Sequence, residues 1–309
     1  MSTLFCFGLG YTAGFLARAV RSEGWRVAGT SRDEASLKRL AGEGFAMHLL
    51  APGRPLAESA AALAGATHIL ASVPPDEGGD PVLAAHADDL GARSGLEWLG
   101  YLSTTGVYGD RGGGWVDETD ALTPTGERGR RRVAAEAQWL ALGRERGLPI
   151  HIFRLAGIYG PGRSALDTVR EGRAQRIDKP GQVFSRIHVA DIAQVLRASM
   201  AHPRPGAIYN VCDDDPAPPE AVIAYACALL GVTPPPLIPF DAAKLSPMAQ
   251  SFYDDNKRVS NRRIKEELGV RLRYPSYRDG LKDLLNGPNG ETPSPLVGEG
   301  GAQRGALGG

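Results

Sequence analysis

Closely spaced glycines lie between a short apolar run and an amphipathic segment near the start of the chain. The apolar run is residues 4–7, and the pattern G-x-G-x-x-G/A is met by Gly8, Gly10 and Ala13, with Gly14 directly after. In a strand–turn–helix unit, one glycine forms the turn, a second lets the backbone approach a pyrophosphate, and the helix N-terminus offers N–H groups to the phosphates. The pattern predicts a dinucleotide site, although glycine-rich turns also occur without a ligand.

The end of the second apolar run indicates which dinucleotide. Residues 26–32 read as a strand that ends in Ser31 and Arg32. An acidic residue at this place would hold a ribose 2′-hydroxyl, whereas an arginine suits a 2′-phosphate, so we expect NADP, with NAD as the alternative. The other interpretation of Arg32 is a solvated loop charge. The cofactor would also contact Tyr11 in the glycine turn and the Val73–Pro74 turn.

The elements that must position these residues alternate along the first half of the chain. Apolar runs at residues 4–7, 26–32, 45–50, 67–73, 96–103 and 149–155 are separated by helical patterns at residues 33–41, 56–64, 83–93 and 132–146. This alternation is typical of an α/β fold with a Rossmann-type, doubly wound parallel sheet. Ligands bind beyond the carboxyl ends of such strands, so the turns after residues 7, 32, 73 and 103 should face one crevice.

From about residue 164 the periodicity weakens. Short strands are expected at residues 185–189 and 207–211, and helices at 192–201, 220–230 and 261–268. We therefore predict a dinucleotide-binding domain at residues 1–163, completed by about 183–212. Residues 164–182 and 213–286 would form a small C-terminal α/β substrate portion. Residues 287–309 are rich in glycine and proline with almost nothing apolar to bury, which predicts a disordered tail.

Composition excludes several classes of protein. Lys plus Arg and Asp plus Glu are both 35, so the net charge of +0 favours neither nucleic acid nor an anionic membrane as a partner. No apolar run approaches the ~18 residues of a membrane-spanning helix. The N-terminus has no basic segment or cleavage site, and scattered cysteines at 6, 212 and 227 are typical of buried, reduced thiols, so we expect a cytoplasmic protein. No cluster has metal-ligand spacing, and no metal is expected.

With these residues laid out, the chain resembles the extended short-chain dehydrogenase/reductases, the family of nucleotide-sugar epimerases and dehydratases. More narrowly, it is similar to an atypical subgroup of NAD(P)-dependent epimerase/dehydratase-like proteins. The resemblance covers roughly residues 3–285. It rests on the glycine turn, on Ser-Thr-Thr-Gly-Val-Tyr-Gly at 103–109, on residues 154–162, and on Ile-His-Val-Ala-Asp at 187–191.

The resemblance implies roles for particular residues. Thr104, three residues before the valine of Val-Tyr-Gly, would orient the substrate carbonyl or hydroxyl. The family's Tyr-x-x-x-Lys pair is followed by a glutamate four residues after the lysine. Matching that glutamate to Glu136 places Arg132 at the lysine position and Arg128 at the tyrosine position. Arg132 could still contact a nicotinamide ribose and supply positive charge, but Arg128 cannot take the tyrosine's role, because a guanidinium does not exchange protons near neutrality.

Another group would then have to move the proton. Tyr108 is the first candidate because it lies close to Thr104 in sequence, and Tyr159 and His188 are the others. The alternative for both tyrosines is an aromatic side chain that packs under the cofactor, and for His188 a hydrogen-bonded core histidine. Four cations flank a late helix and could bind an anionic substrate or lie on a plain surface, namely Lys257, Arg258, Arg262 and Arg263. Arg163 and Arg186 lie in loops that could reach the crevice.

Two hypotheses about function follow. The first is an NAD(P)-dependent oxidoreductase, epimerase or dehydratase-like enzyme of atypical short-chain type, acting on a small, anionic or sugar-nucleotide-like substrate. The second is a catalytically degenerate NADP(H)-binding sensor or interaction protein. The resemblance also implies a homodimer that pairs through the two long helices flanking the fourth to sixth strands, although their pattern does not require one.

Overall fold

The computed structural model describes residues 1–287, so the tail expected at 287–309 lies, apart from Gly287, outside the described residues. In chain order the strands are β1 Thr3–Phe7, β2 Arg26–Ser31, β3 Ala46–Leu49, β4 His68–Ala71, β5 Trp98–Thr104, β6 Trp115–Val116, β7 Ile150–Leu155, β8 Gly157–Tyr159, β9 Arg176–Asp178, β10 Arg186–His188, β11 Ile208–Val211, β12 Leu237–Pro239 and β13 Arg258–Val259.

The helices cover both faces of a sheet. They are α1 Tyr11–Ser22, α2 Glu34–Gly42, α3 Ser59–Ala62, α4 Pro81–Gly91, α5 Glu127–Arg146, α6 Ala165–Arg170, α7 Val189–Ala201, α8 Pro219–Leu230, α9 Pro247–Tyr253, α10 Arg262–Leu268 and α11 Tyr277–Asn286, with 3₁₀ turns at Thr105–Tyr108 and Phe240–Ala242.

Within residues 1–287, one sheet contains seven parallel strands in the order β11-β7-β5-β4-β1-β2-β3. The order changes direction at β1, because β2 lies on one side of it and β4 on the other. In such sheets the crevice at the switch point is where ligands bind, and here it adjoins the glycine turn. The doubly wound fold predicted from the sequence is confirmed.

The alternating side chains of β1 show why this strand lies in the centre. Leu4 and Cys6 pack into the apolar cluster shared with α1 and α7, whereas Phe5 and Phe7 pack into the cluster shared with α4 and α5. All four are fully buried. An uninterrupted apolar run is what a parallel strand covered by helices on both faces requires.

A smaller apolar cluster lies in the C-terminal part. It joins β8, α6, α8 and α11 through Tyr159, Leu166, Val222 and Leu281. Three parallel pairs of short strands tie this part together, namely β8 with β10, β9 with β12, and β6 with β13. The division into a dinucleotide-binding domain and a substrate portion stays a prediction.

Five helices differ from the sequence expectation, and two of them, α6 and α9, lie outside the helices expected above. Helix α5 begins at Glu127 rather than at 132, and an ion pair between Arg131 and Glu127, one turn apart, supports its first turn. Residues 127–131 lack apolar periodicity, so the sequence pattern did not indicate this turn. Helix α3 is a single turn rather than a helix over 56–64. Helix α11 lies outside the helices expected above, although the capping box between Ser276 and Asp279 is a signal that could have found it.

Candidate functional site

The glycine turn after β1 is held by hydroxyl groups from neighbouring strands. Gly8 has φ +84°, a conformation that favours glycine, and its N–H donates to Thr30 Oγ1 at 2.8 Å. The next N–H, of Leu9, donates to the Thr30 carbonyl at 2.8 Å. Ser72 Oγ, after β4, donates to the Gly8 carbonyl at 2.5 Å. The turns after three adjacent strands therefore form one backbone surface.

Residues that follow β4 pack closely against the glycine turn. A Cβ atom on Gly8 would lie 3.0 Å from Ser72 Oγ and 3.1 Å from Val73 Cγ2. Val73 is half-buried beside the turn, and Pro74 is exposed directly after it. The Val73–Pro74 turn therefore borders the glycine turn.

The N-terminus of α1 could bind phosphate groups. Gly10 is its exposed N-cap residue, no side chain caps the helix, and Tyr11 follows as its first residue. Ala13 and Gly14 are buried in the first turn of α1, and their expected part in cofactor binding stays a prediction. The uncapped terminus, its positive dipole end and the glycine turn fit the pyrophosphate of a dinucleotide.

The end of β2 presents a cation. Ser31 is half-buried and its hydroxyl lies 3.5 Å from Asp33 Oδ2, while Arg32 is exposed. Asp33 caps α2 by accepting from the Ser36 N–H at 2.8 Å, and this bond lowers the pKa of the Asp33 carboxyl. Because Asp33 is engaged in the helix cap, Arg32 is the side chain at this corner that best suits a ribose 2′-phosphate.

Thr104 ends β5 and faces the same edge of the sheet, two strand positions or about 10 Å from β1. The residue is half-buried, and its Oγ1 accepts from the Gly106 N–H at 3.2 Å. This bond leaves the hydroxyl hydrogen of Thr104 to donate. Among the described residues no acceptor takes it, so Thr104 can donate to a substrate oxygen.

The first turn of α5 packs directly on the turn that follows Thr104. A Cβ atom on Gly129 would lie 2.8 Å from the Gly106 carbonyl oxygen. The neighbouring Arg128 is exposed. Arg132 is half-buried, and its Nη1 donates to the Leu102 carbonyl at 2.6 Å and to the Tyr101 hydroxyl at 3.1 Å. Arg128 and Arg132, expected at the tyrosine and lysine positions, therefore lie on the helix that packs on the Thr104 turn, and Arg132 is bound to β5.

Tyr108 does not face the crevice. Its side chain is fully buried, and its hydroxyl donates to Asn210 Oδ1 at 2.8 Å and accepts from Arg154 Nη1 at 2.9 Å. Burial raises the pKa of Tyr108 to about 12. A buried hydroxyl with both partners taken and a high pKa does not fit the acid/base role expected for it, and the packing alternative describes it better.

The two other proton-transfer candidates are also in the interior. The buried Tyr159 hydroxyl donates to the Ser276 carbonyl at 3.3 Å, and burial raises its pKa. His188 is buried and is the N-cap residue of α7, where its Nδ1 accepts from the Ala190 N–H at 3.2 Å. Burial lowers the pKa of His188 to about 4, so the ring is neutral near pH 7. This geometry matches the alternative of a hydrogen-bonded core histidine.

Sequence reasoning missed several residues that shape the site. Thr30 and Ser72 hold the glycine turn, and the signal for both is a hydroxyl residue at the end of an apolar strand. Behind Thr104, the buried Glu136 carboxylate accepts from Ser103 Oγ at 2.5 Å and pairs with Arg154 at 2.8 Å. This network fixes the end of β5 to α5 and β7.

Membrane-spanning helices and metal-ligand clusters are both absent from residues 1–287. No helix there is long and apolar enough to cross a membrane. No three His, Cys, Asp or Glu side chains in that range come together as ligands for a metal ion.

Known proteins share the sequence pattern and the architecture of this chain. The model of the NAD dependent epimerase/dehydratase family matches residues 82–212. Protein YeeZ of Escherichia coli (strain K12) is 27% identical over 287 residues, which are 89% of this chain and 97% of the relative.

Two solved structures illustrate the range of likeness. A functionally unknown conserved protein from Silicibacter pomeroyi DSS is 57% identical with a TM-score of 0.85, over 92% of this chain and 98% of that one. UDP-glucuronic acid 4-epimerase from Bacillus cereus, in complex with UDP-glucuronic acid and NAD, is 14% identical with a TM-score of 0.74, over 92% and 99% of the two chains. The second likeness concerns the fold alone. The chain is thus similar to the NAD dependent epimerase/dehydratase family over residues 82–212, and it shares its fold with a known epimerase.

Proposed function

We propose that the protein is an NAD(P)-dependent oxidoreductase, epimerase or dehydratase-like enzyme of atypical short-chain type. The observation that carries this proposal is that the uncapped N-terminus of α1 adjoins the Gly8 turn. Hydrogen bonds with the side chains of Thr30 and Ser72 fix the conformation of that turn. A backbone surface of this kind suits a pyrophosphate and serves no evident purpose in packing. The nicotinamide-bound relatives of the same fold support it.

The crevice residues would then have distinct tasks. Gly8, Gly10 and Tyr11 would hold the pyrophosphate, and the Val73–Pro74 turn would border the cofactor. Thr104 would donate its hydroxyl hydrogen to the substrate oxygen, since its acceptor side is already engaged by Gly106. Hydride transfer is the chemistry that a bound nicotinamide supplies.

Arg132 would act by charge. Its Nη1 is occupied by β5, so its contribution to a nicotinamide ribose would come from its other N–H groups and from its positive field. Proton transfer is not assigned to a side chain, because the geometry of Tyr108, Tyr159 and His188 supports none of them in that role.

NADP is the proposed form of the cofactor, with NAD as the alternative. Arg32 at the end of β2, beside a carboxylate that caps α2, supports a 2′-phosphate. The substrate class is a small, anionic or sugar-nucleotide-like molecule, supported by the substrate of the epimerase relative. A cytoplasmic location and a homodimer stay predictions.

A catalytically degenerate NADP(H)-binding sensor is the second candidate. It is favoured by the arginines at both catalytic positions and by the burial of Tyr108. The donor left on Thr104 favours the enzyme, because a sensor needs no group that orients a substrate.

The first test is a side-by-side titration of NADPH and NADH into the wild type, Arg32→Ala and Lys38→Ala. A charge-assisted hydrogen bond is worth roughly 1.5–3 kcal/mol, so Arg32→Ala should weaken NADPH about 10–100-fold and leave NADH unchanged. Lys38→Ala removes an exposed charge from α2 and should change neither. If the wild type binds neither dinucleotide, the proposal fails.

The second test separates the enzyme from the sensor. Carbonyl and sugar-nucleotide compounds are screened for cofactor-dependent turnover, and Thr104→Val is compared with Thr104→Ser. Loss of a donor to a developing charge costs about 10²-fold or more in kcat, so Val should lose activity that Ser retains, with cofactor binding unchanged. Turnover that Thr104→Val leaves intact would show that the site is misplaced, and binding without turnover would favour the sensor.

A further inference from the structure

The loop that follows β8 docks on the first residue of α1. Tyr11 donates its hydroxyl to the Pro161 carbonyl at 3.1 Å. A Cβ atom on Gly160 would lie only 2.6 Å from that hydroxyl and 2.6 Å from Val189 Cγ1. The loop after β8 therefore contacts α1 at its N-terminal residue, at a position where a larger residue would press on the Tyr11 and Val189 side chains.

The same loop holds Arg163 in a fixed place. Two backbone bonds of 3.0 Å join Gly160 and Arg163 in both directions, and Gly162 between them has φ +70°. The Arg163 guanidinium lies 5.8 Å from the centroid of the Tyr11 ring. Position and direction of this side chain are therefore set by the turn and by the aromatic face.

The charge of Arg163 is available to a ligand. The residue is exposed, and no carboxylate within residues 1–287 forms an ion pair with it. An arginine stacked on an aromatic ring keeps the N–H groups at its edge free for an anion, in a pre-organised orientation. The ring that Arg163 faces belongs to Tyr11, the first residue of α1, whose uncapped N-terminus attracts anions.

We infer that Arg163, held on Tyr11, binds the pyrophosphate of the dinucleotide and so sets cofactor affinity. The inference rests on the proposed function and extends it to a residue of the loop after β8. The helix terminus supplies roughly half a positive charge, whereas a pyrophosphate carries about two negative charges, so a cation beside it adds attraction that the glycine turn cannot. Arg32 lies at the end of β2 and would serve the 2′-phosphate instead, so the two arginines act on different groups of one ligand.

Because Arg163 and Arg32 would bind different phosphate groups, ligands with and without the 2′-phosphate distinguish their roles. Dissociation constants for NADPH, NADH and ADP-ribose are measured on wild type, Arg163→Ala, Arg163→Lys and Arg170→Ala. Because all three ligands contain the pyrophosphate, Arg163→Ala should weaken each about tenfold, the effect of losing one partly exposed charge contact. Arg163→Lys should recover part of the loss. Arg170→Ala removes an exposed arginine from α6 and should match the wild type. The salt dependence of binding should also be shallower for Arg163→Ala.

Three outcomes would overturn the inference. Unchanged affinity in Arg163→Ala would show that the side chain does not reach the pyrophosphate, and a loss confined to NADPH would place it at the 2′-phosphate. If dinucleotide affinity stays constant while the KM of an anionic substrate rises, Arg163 serves the substrate instead. Failure of the wild type to bind all three ligands is distinguishable from these results, since it removes the proposed function itself.

Discussion

Gly8 illustrates how one missing Cβ atom lets neighbouring turns pack closely. With φ +84°, alanine at this position would be strained by roughly 1–2 kcal/mol, and its Cβ would press on Ser72 and Val73. Gly24 has φ +87° but no heavy atom within 4 Å of its Cβ position. Substitutions at Gly8 and Gly24 should therefore share the effect of backbone strain, whereas only a substitution at Gly8 also brings a Cβ atom against neighbouring residues.

We expect Gly8→Ala and Gly24→Ala to share a loss of about 1 kcal/mol in the free energy of unfolding, measured in urea. Gly8→Ala should in addition weaken dinucleotide binding about tenfold or more, because the glycine turn can no longer hold its shape. Equal dinucleotide affinity in the two variants would mean that the glycine turn is not part of the site.

At the residue scale, sequence reasoning found the groups at the strand ends but not their partners. Gly8, Arg32 and Thr104 follow apolar runs directly, so the chain itself places them at one edge of the sheet. Tyr108 could not be placed in this way, because its hydroxyl is taken by Asn210, which lies 102 residues further along the chain. Local periodicity carries no information about such a contact.

At the scale of elements, Asn256 joins two loops that belong to different parts of the chain. Its Oδ1 accepts from the Val183 N–H at 3.1 Å and its Nδ2 donates to the Gly181 carbonyl at 3.0 Å. Its backbone carbonyl accepts from the N–H groups of Arg111 and Gly113, each at 2.9 Å. The segment after Thr104 is thereby tied to the loop before β10.

Asn256→Ala should loosen this junction without unfolding the sheet. Hydrogen exchange of the amides at 181–183 and 110–114 should accelerate by about tenfold or more, while amides of β1 and β5 keep their protection. Asn286→Ala removes an exposed amide side chain at the end of α11 and should leave both loops as they are. Uniform acceleration across the sheet would instead indicate a global loss of stability.

All seven strands of the main sheet were expected from the sequence, and the apolar runs of β1, β5 and β7 are ones that a parallel sheet buries. Among the short strands β10 was expected, whereas the pairing of β6 with β13 was not. The pair of β6 with β13 joins Trp115 and Val116 to Arg258 and Val259, which lie far apart in the chain, and strands this short have no periodicity to detect. The same absence of apolar periodicity hid the first turn of α5, which carries Arg128.

At the scale of the whole molecule, two neutral buried histidines make folding sensitive to pH. His151 Nε2 accepts from the Arg204 N–H at 2.8 Å, and His188 Nδ1 accepts from the Ala190 N–H, so protonation would break both bonds. Burial lowers the pKa of each ring to about 4. For His188, Asp283 opposes this shift and Arg273 adds to it.

The direction of the effect follows from proton binding. Between the ordinary histidine pKa of ~6.5 and the folded value near 4, the unfolded chain binds more protons than the folded one, so stability falls as the pH falls. Above pH ~6.5 the contribution is fully present. Each histidine should account for about 2 kcal/mol between pH 7 and pH 4.5, since a tenfold difference in proton affinity between the folded and unfolded chains corresponds to ~1.4 kcal/mol.

His188→Asn removes the contribution of His188 to the pH dependence of the unfolding free energy, because asparagine can still cap α7 but does not titrate. Urea unfolding at pH 7 and pH 4.5 should show a difference in unfolding free energy that is about 2 kcal/mol smaller in His188→Asn than in the wild type. Carboxylates also titrate in this range, but they do so in both proteins and cancel in the comparison. His202→Asn, at an exposed position, should keep the dependence of the wild type. If His188→Asn also keeps it, the ring of His188 is not held neutral by the fold, and its role as the α7 cap would have to be reconsidered.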